Sequence, residues 1–342
     1  METKIFKPNQ ISEAAAAIKA GQLVAFPTET VYGLGADATN EAAVKQVYLA
    51  KGRPSDNPLI VHVTGQATVE QYAQPLSDKA QALIKAFWPG SLTLIFKLQP
   101  GALSPAVTGG LQTAAFRNPD NQVTLDLIKE AGVPLVGPSA NTSGKPSPTL
   151  AKHVYHDLNG KIAGILDDGP TEVGVESTVL DMSTDVPTIL RPGAVTEEEL
   201  EAVIGTVRST HHKVGATEVP KAPGMKYKHY APNAQVYIVD HVTDWAAALK
   251  WAGQQDDAIG IMALDHTLSG LTLPQNAEFF SLGRDLPSAS HRLFAGLRHF
   301  DLESPVKGIL AQGFSDEGLG AAYMNRLNKS AGQVHFTKDQ LL

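Results

Sequence analysis

The chain has 342 residues, 43% of them hydrophobic and 18% charged, and it contains no cysteine. At roughly 100–200 residues per domain this is a two-domain length for a folded globular protein, and disulfides, thiolate metal sites and a cysteine nucleophile are excluded. Asp and Glu number 35 against 28 Lys and Arg, a formal net charge of −7, which argues against a dedicated nucleic-acid binder because phosphate neutralisation calls for a basic surplus.

The N-terminal residues carry no apolar run, so no signal peptide is expected. No stretch reaches the ~18–20 apolar residues of a membrane span. A cytoplasmic protein without membrane contact is the expectation. Residues 9–20 turn from polar to Ala-rich, which predicts a helix capped near Ser12 and stopped by Gly21. Strands are predicted at 23–28, 59–63, 92–98, 113–119, 134–141, 163–169 and 177–182. Helices are predicted at 41–52, 77–88, 124–132 and 196–205, the last opening on a capping box, Thr196 with Glu199. This alternation argues an α/β fold. The stretch 206–233 is polar and lacks a sustained period, so it reads as a linker. From 234 onward a second α/β unit is expected, with strands at 234–240, 258–264 and 277–283 and helices at 243–254 and 288–302. The expected organisation is 1–205, a linker at 206–233, and 234–342, the last a smaller Rossmann-like layer.

Some motifs mislead. GLGADA at 33–38 fits a relaxed dinucleotide pattern, but TETVY separates it from the preceding strand and Asn40 looks like the helix cap. GKPS at 144–147 is no Walker A motif, since Pro146 stands where Ser or Thr is required. The pair His211 and His212 has no carboxylate company and reads as solvated.

Other segments are poorly explained by packing alone. PTETVYGLG (27–35) places hydroxyls at the C-terminal end of a strand, where open α/β sheets bind ligands. KGRPSDNPLIVH (51–62) sets Lys51 and Arg53 in a Pro-bounded loop, a point charge beside a planar fork suited to phosphate. His62 alone reads as a structural histidine. GPSANTSGKPSPT (137–149) offers hydroxyls, an amide and backbone N–H groups as a phosphate nest, or else a plain surface loop. GVESTVLD with LRPG (174–193) adds Ser177 at a strand start and Arg191 before a turn.

In this order, and with FWPGSLTLIF at 87–96 and PGMKYKHYAP at 223–232, the motifs resemble the threonylcarbamoyl-AMP synthase family, the YrdC-like fold in its long two-domain form. The resemblance implies a twisted open α/β sheet joined to a Rossmann-like domain. It implies the reaction of L-threonine, bicarbonate and ATP, with Mg²⁺, to L-threonylcarbamoyl-AMP for modification of tRNAs reading ANN codons. A threonine site would then use Thr28 or Thr30, His62, Arg117, Gly137 and Ser177. A nucleotide site would use Lys51, Arg53, Asn57, Thr113, Ser139, Asn141, Ser147, Arg191, Met225 and Tyr227, with Lys51, Arg53, Ser139 and Asn141 closest to the chemistry. The linker would act as a lid over the nucleotide. No carboxylate cluster marks Mg²⁺ ligands. A separate tRNA threonylcarbamoyl transferase complex is the implied downstream partner, and any contact with tRNA itself would be weak. The rival readings are an RNA-binding module, disfavoured by the acidic balance, and another carbamoyl- or nucleotidyl-transfer enzyme on the same fold.

Overall fold

The computed structural model describes residues 2–209, 219–223, 225 and 229–338. His211, His212 and Tyr227 lie outside the described residues. The chain forms two compact units. The first comprises Met1–Ser143, Ser147–Glu172 and Glu176–Tyr227, and the second comprises Gly144–Pro146, Val173–Val175 and Lys228–Leu342.

The first unit holds strands β1 (Lys4–Phe6), β2 (Val24–Phe26), β3 (Gly33–Asp37), β4 (Ile60–His62), β5 (Leu92–Lys97), β6 (Thr113–Arg117), β7 (Leu135–Val136), β8 (Gly164–Leu166), β9 (Thr178–Asp181), β10 (Thr188–Arg191) and β11 (Arg208–Ser209). Its helices are α1 (Ile11–Lys19), α2 (Glu41–Lys51), α3 (Gln66–Val69), α4 (Asp78–Phe87), α5 (Pro105–Thr108), α6 (Gln122–Ala131), α7 (Ala151–Leu158) and α8 (Glu197–Ile204). The strands form one mixed sheet of order β1-β8-β2-β3-β7-β4-β6-β5-β9-β10-β11. Residues 208–209 of the expected linker are thus an edge strand, parallel to β10.

Local chemistry explains the helix ends. Asn40 caps α2 by accepting from the Ala43 N–H, and Gly52 ends it at φ 61°, a left-handed conformation that glycine adopts without Cβ strain. Both arms of the Thr196–Glu199 capping box are present at α8. The cap expected at Ser12 is not formed. Gln10 occupies the N-cap of α1 without a side-chain bond, and the Ser12 hydroxyl turns to Glu130. Gly33 and Gly35, the glycines of the misleading dinucleotide pattern, lie inside β3 rather than in a strand-to-helix turn. A Cβ on either would come within 2.9 Å of the Phe26 ring on β2.

Alternation along the central strands separates core from site. Val61, Leu94, Phe116 and Leu180 join the main core, packed with Leu83 and Ile84 of α4 and Leu200 and Ile204 of α8. The neighbouring positions point to the other face, because successive side chains of a strand alternate. On that face Ile60, Ile95, Ala115 and Val179 form a small apolar cluster with Ala222.

The second unit is a parallel four-stranded sheet, β12 (Gln235–Val239), β13 (Ile259–Ala263), β14 (Ala277–Ser281) and β15 (Gly308–Gln312), in the order β12-β15-β13-β14. Its helices are α9 (Trp245–Gly253), α10 (Leu286–Leu302) and α11 (Leu319–Ala331). Trp245, Leu249, Ile261 and Leu310 are among its core residues.

Candidate active site

The face that carries the small apolar cluster also carries a polar row. In the parallel pair of β4 and β6, His62 stands opposite Arg117. In the antiparallel pair of β6 and β5, Arg117 stands opposite Thr93. Residues opposite each other in register share a face, so His62, Arg117 and Thr93 form a line across three strands. All three are buried. The Thr93 hydroxyl lies 2.7 Å from the Ser177 hydroxyl, which brings Ser177 to the end of the row.

Arg117 is held from several sides. Its Nε donates to the Gly90 carbonyl at 3.3 Å, its Nη1 to the Thr30 hydroxyl at 2.8 Å, and its Nη2 to Glu29 at 2.5 Å. Glu29 is buried and also accepts from the Ser91 hydroxyl and the Asp120 N–H. A buried guanidinium is tolerated when it is paired and hydrogen-bonded in this way. His62 is fully enclosed. Burial, and then the neighbouring Arg117 charge, push its pKa down to about 3, so the ring is neutral at physiological pH. Its Nδ1 is buried with no hydrogen-bond partner among the described residues, and its ring packs edge-on to Phe26 at 5.1 Å. Gly137 lies close against both rings. A Cβ there would lie 2.5 Å from Phe26 and 2.7 Å from the His62 ring.

Thr28 and Thr30 differ in kind. The Thr28 hydroxyl accepts from the N–H groups of Thr30 and Val31 and lies 2.6 Å from the Val31 carbonyl, to which it donates. It also lies 2.9 Å from the Thr30 hydroxyl, and so ties its own turn to the neighbouring threonine. Thr30 instead faces Arg117.

A second group gathers on the loop after β7. Lys51, the last residue of α2, is buried and donates to the carbonyls of Ser139 and of Asn141, the latter at 2.7 Å. The Ser143 N–H returns a bond to the Lys51 carbonyl, and the Thr142 N–H donates to Asp157 of α7. The lysine and the S-x-N pair, nearly ninety positions apart, are therefore one constellation. Arg53 donates to the Asn57 and Pro58 carbonyls, and the Asn57 Oδ1 is buried without a hydrogen-bond partner among the described residues. The Ser147 hydroxyl donates to Glu176 at 2.5 Å. Arg191 donates from Nε and Nη2 to the Ser177 carbonyl. Thr113 opens β6 and Arg117 closes it, so the two lie on one face about 13 Å apart at the usual rise per residue. Met225 packs against the apolar cluster of that face.

Sequence reasoning did not single out Glu29, Thr93 or Glu176. Glu29 lies within the PTETVYGLG string, where a carboxylate among hydroxyls was the available signal. Thr93 has none, because only strand register places it beside Arg117. Among the described residues no group of three or more His, Asp or Glu side chains is placed to hold a metal ion, so no residue is assigned as a resident metal ligand.

A family model described as "Telomere recombination" matches residues 16–193. A second, described as "Threonylcarbamoyl-AMP synthase, C-terminal domain", matches residues 195–332. The chain is 48% identical over 324 residues to the threonylcarbamoyl-AMP synthase of Bacillus subtilis, covering 94% of this chain and 93% of the relative. The chain belongs to the threonylcarbamoyl-AMP synthase family. A second member, from Pyrococcus abyssi, is 44% identical over 94% of both chains. The crystal structure of P. abyssi Sua5 complexed with L-threonine superposes with a TM-score of 0.90 at 41% identity, covering 98% of this chain and all of that one. The likeness to family members thus spans both units, not the mixed sheet alone.

Proposed function

We propose that the chain is an L-threonylcarbamoyladenylate synthase. It converts L-threonine, bicarbonate and ATP into L-threonylcarbamoyl-AMP, pyrophosphate and water. The observation that carries this reading is the buried row His62–Arg117–Thr93 with Thr30 and Ser177, in a chain whose structural relative is a complex with L-threonine. A guanidinium oriented among hydroxyls and a neutral imidazole is suited to an amino acid's carboxylate and side-chain hydroxyl.

The threonine amine takes up bicarbonate with loss of water to give the N-carboxylate. One carbamate oxygen then forms a bond to the α-phosphorus of ATP as the bond to the leaving pyrophosphate breaks. Several anions must be brought together, and negative charge grows on the leaving group. Fixed cations in a dry site answer that problem without reorganising, and positioning the reactants removes much of the entropic barrier. In this reading Arg117 and Thr30 hold threonine, with His62, Ser177 and the Gly137 backbone beside it. Lys51, Arg53 and Arg191 meet the phosphates. Asn57, Thr113, Ser139, Asn141, Ser147 and Met225 line the nucleotide. No covalent nucleophile is needed, so Ser139 and Ser177 are assigned none. Mg²⁺ is proposed to arrive with ATP, where it would neutralise phosphate charge, and no residue of this chain is assigned to hold it. The product would pass, in the cytoplasm, to a separate enzyme that places the threonylcarbamoyl group on a tRNA adenosine.

The test is pyrophosphate release from Mg–ATP, with and without L-threonine and bicarbonate. Release requiring both, and weaker with serine, is expected. Release independent of threonine would defeat the assignment and point to a different nucleotidyl transfer.

A further inference from the structure

In the second unit, α10 presents His291, Phe294, Arg298 and Asp301 along one stripe, at spacings of three and four residues that bring helix positions onto one face. Each of them meets chain that lies outside the unit's own sheet. The His291 backbone runs so close to Gly174 that a Cβ on that glycine would overlap it. The Phe294 ring packs on Tyr230, with centroids 5.2 Å apart. Arg298 donates to the Pro146 carbonyl from both Nε, at 3.1 Å, and Nη2, at 2.5 Å. Asp301 accepts from the Asn233 N–H at 2.7 Å and lies 3.8 Å from the Lys145 ammonium. The Ala231 N–H closes the arrangement on the Gly144 carbonyl.

The short segments 144–146 and 173–175 are therefore fixed on this helix. Ser147 comes directly after Pro146, and Glu176 directly after Val175. These two side chains are bonded to each other at 2.5 Å and both are buried. Holding 144–146 and 173–175 fixes the start of both arms of that bond. Arg298 is only 2% exposed. Burying a guanidinium is costly unless its donors are used, and here two of them converge on one carbonyl of the loop that leads into Ser147.

We infer that Arg298 is a positioning residue for the nucleotide loop, acting through Pro146 to set the Ser147–Glu176 pair. This rests on the reading that Ser147 contacts ATP. It gives α10, in a unit with no assigned chemistry, a defined part in the reaction.

The test uses the full chain, with Arg298→Met, Arg298→Lys and Ser147→Ala. Calorimetric titration would measure α,β-methylene-ATP with Mg²⁺ and, separately, L-threonine. Arg298→Met should weaken the nucleotide analogue about tenfold, the loss expected for about one charge-assisted hydrogen bond, and leave L-threonine affinity largely unchanged. Arg298→Lys, which keeps the charge but offers a point donor instead of a fork, should recover part of the loss. If Arg298→Met melts below the assay temperature, Arg298→Lys is read in its place, and nucleotide-selective weakening is still required. Equal weakening of both ligands would mark a general structural role and overturn the inference. So would unchanged nucleotide affinity in the Arg298 variants while Ser147→Ala weakens it. If Ser147→Ala itself has no effect, the assignment of this loop to the nucleotide fails, and the inference falls with it.

Discussion

Thr28 and Thr30 are two residues apart in the same motif and do different work. Thr28 accepts two backbone N–H groups and donates to a third backbone group, so Thr28→Ala should break the turn, cost about 1–2 kcal/mol of stability as for a lost cap, and lower the melting temperature. Thr30 contacts Arg117, so Thr30→Ala should weaken L-threonine binding more than Thr28→Ala does, with a loss of stability as well because a buried guanidinium donor is left unpaired. Calorimetry on the two variants separates these outcomes, and the reverse pattern would exchange the roles. His62 makes a second prediction. Its ordinary value is 6.5, and the folded protein holds it near 3. Below about pH 6.5 the unfolded chain gains a proton that the native state refuses, so stability falls as the pH drops toward 3, by up to about 1.4 kcal/mol per pH unit. Urea unfolding of His62→Gln should therefore show a shallower acid-side loss than the parent chain, and parallel curves would contradict the assignment. Thr30, His62 and Lys51 stood in the motif strings, whereas Arg117 lay in a plain predicted strand and was named only through the family resemblance. Glu29 and Thr93 were not singled out, because their importance lies in what they face.

Elements show why position along a strand matters more than identity. β4, β5, β6 and β9 each give alternate residues to the core and to the site face, so a one-residue slip would bury Arg117 among Leu94 and Leu180 and put Phe116 among the polar groups of the site face. The register is thus set by the need to keep apolar side chains on one buried face and hydrogen-bonded polar ones on the other. β3 was not predicted, because GLGAD lacks the β-branched pattern of a strand and its glycines suggested a turn. Its reason is close approach to Phe26 on β2, which a single sequence does not display. β1, α7, β15 and α11 were likewise unassigned. Gly137, which directly follows β7, tests the same idea experimentally. Gly137→Ala would press a methyl group against both Phe26 and His62, costing about 1–3 kcal/mol as for other overpacked sites. Thermal melts should show that loss, together with reduced L-threonine affinity as the imidazole is displaced. A variant with parent-like stability and binding would mean the strand end is free to move aside.

At the scale of the molecule, composition, charge and motif order were enough to indicate an α/β chain of two units and its family, and to name most of the side chains of the candidate site. Periodicity and turn chemistry are local, and they survive in the one-dimensional string. The sequence could not assign 144–146 and 173–175 to the second unit, because they lie amid residues of the first and only packing on α10 reveals it. Nor could it show that Lys51 grips the carbonyls of Ser139 and Asn141, or that Glu29 balances Arg117. Those facts are long-range pairings fixed by strand order and by the need to satisfy buried charge. A sequence records which groups are present, and the tertiary structure decides which of them meet once water is excluded.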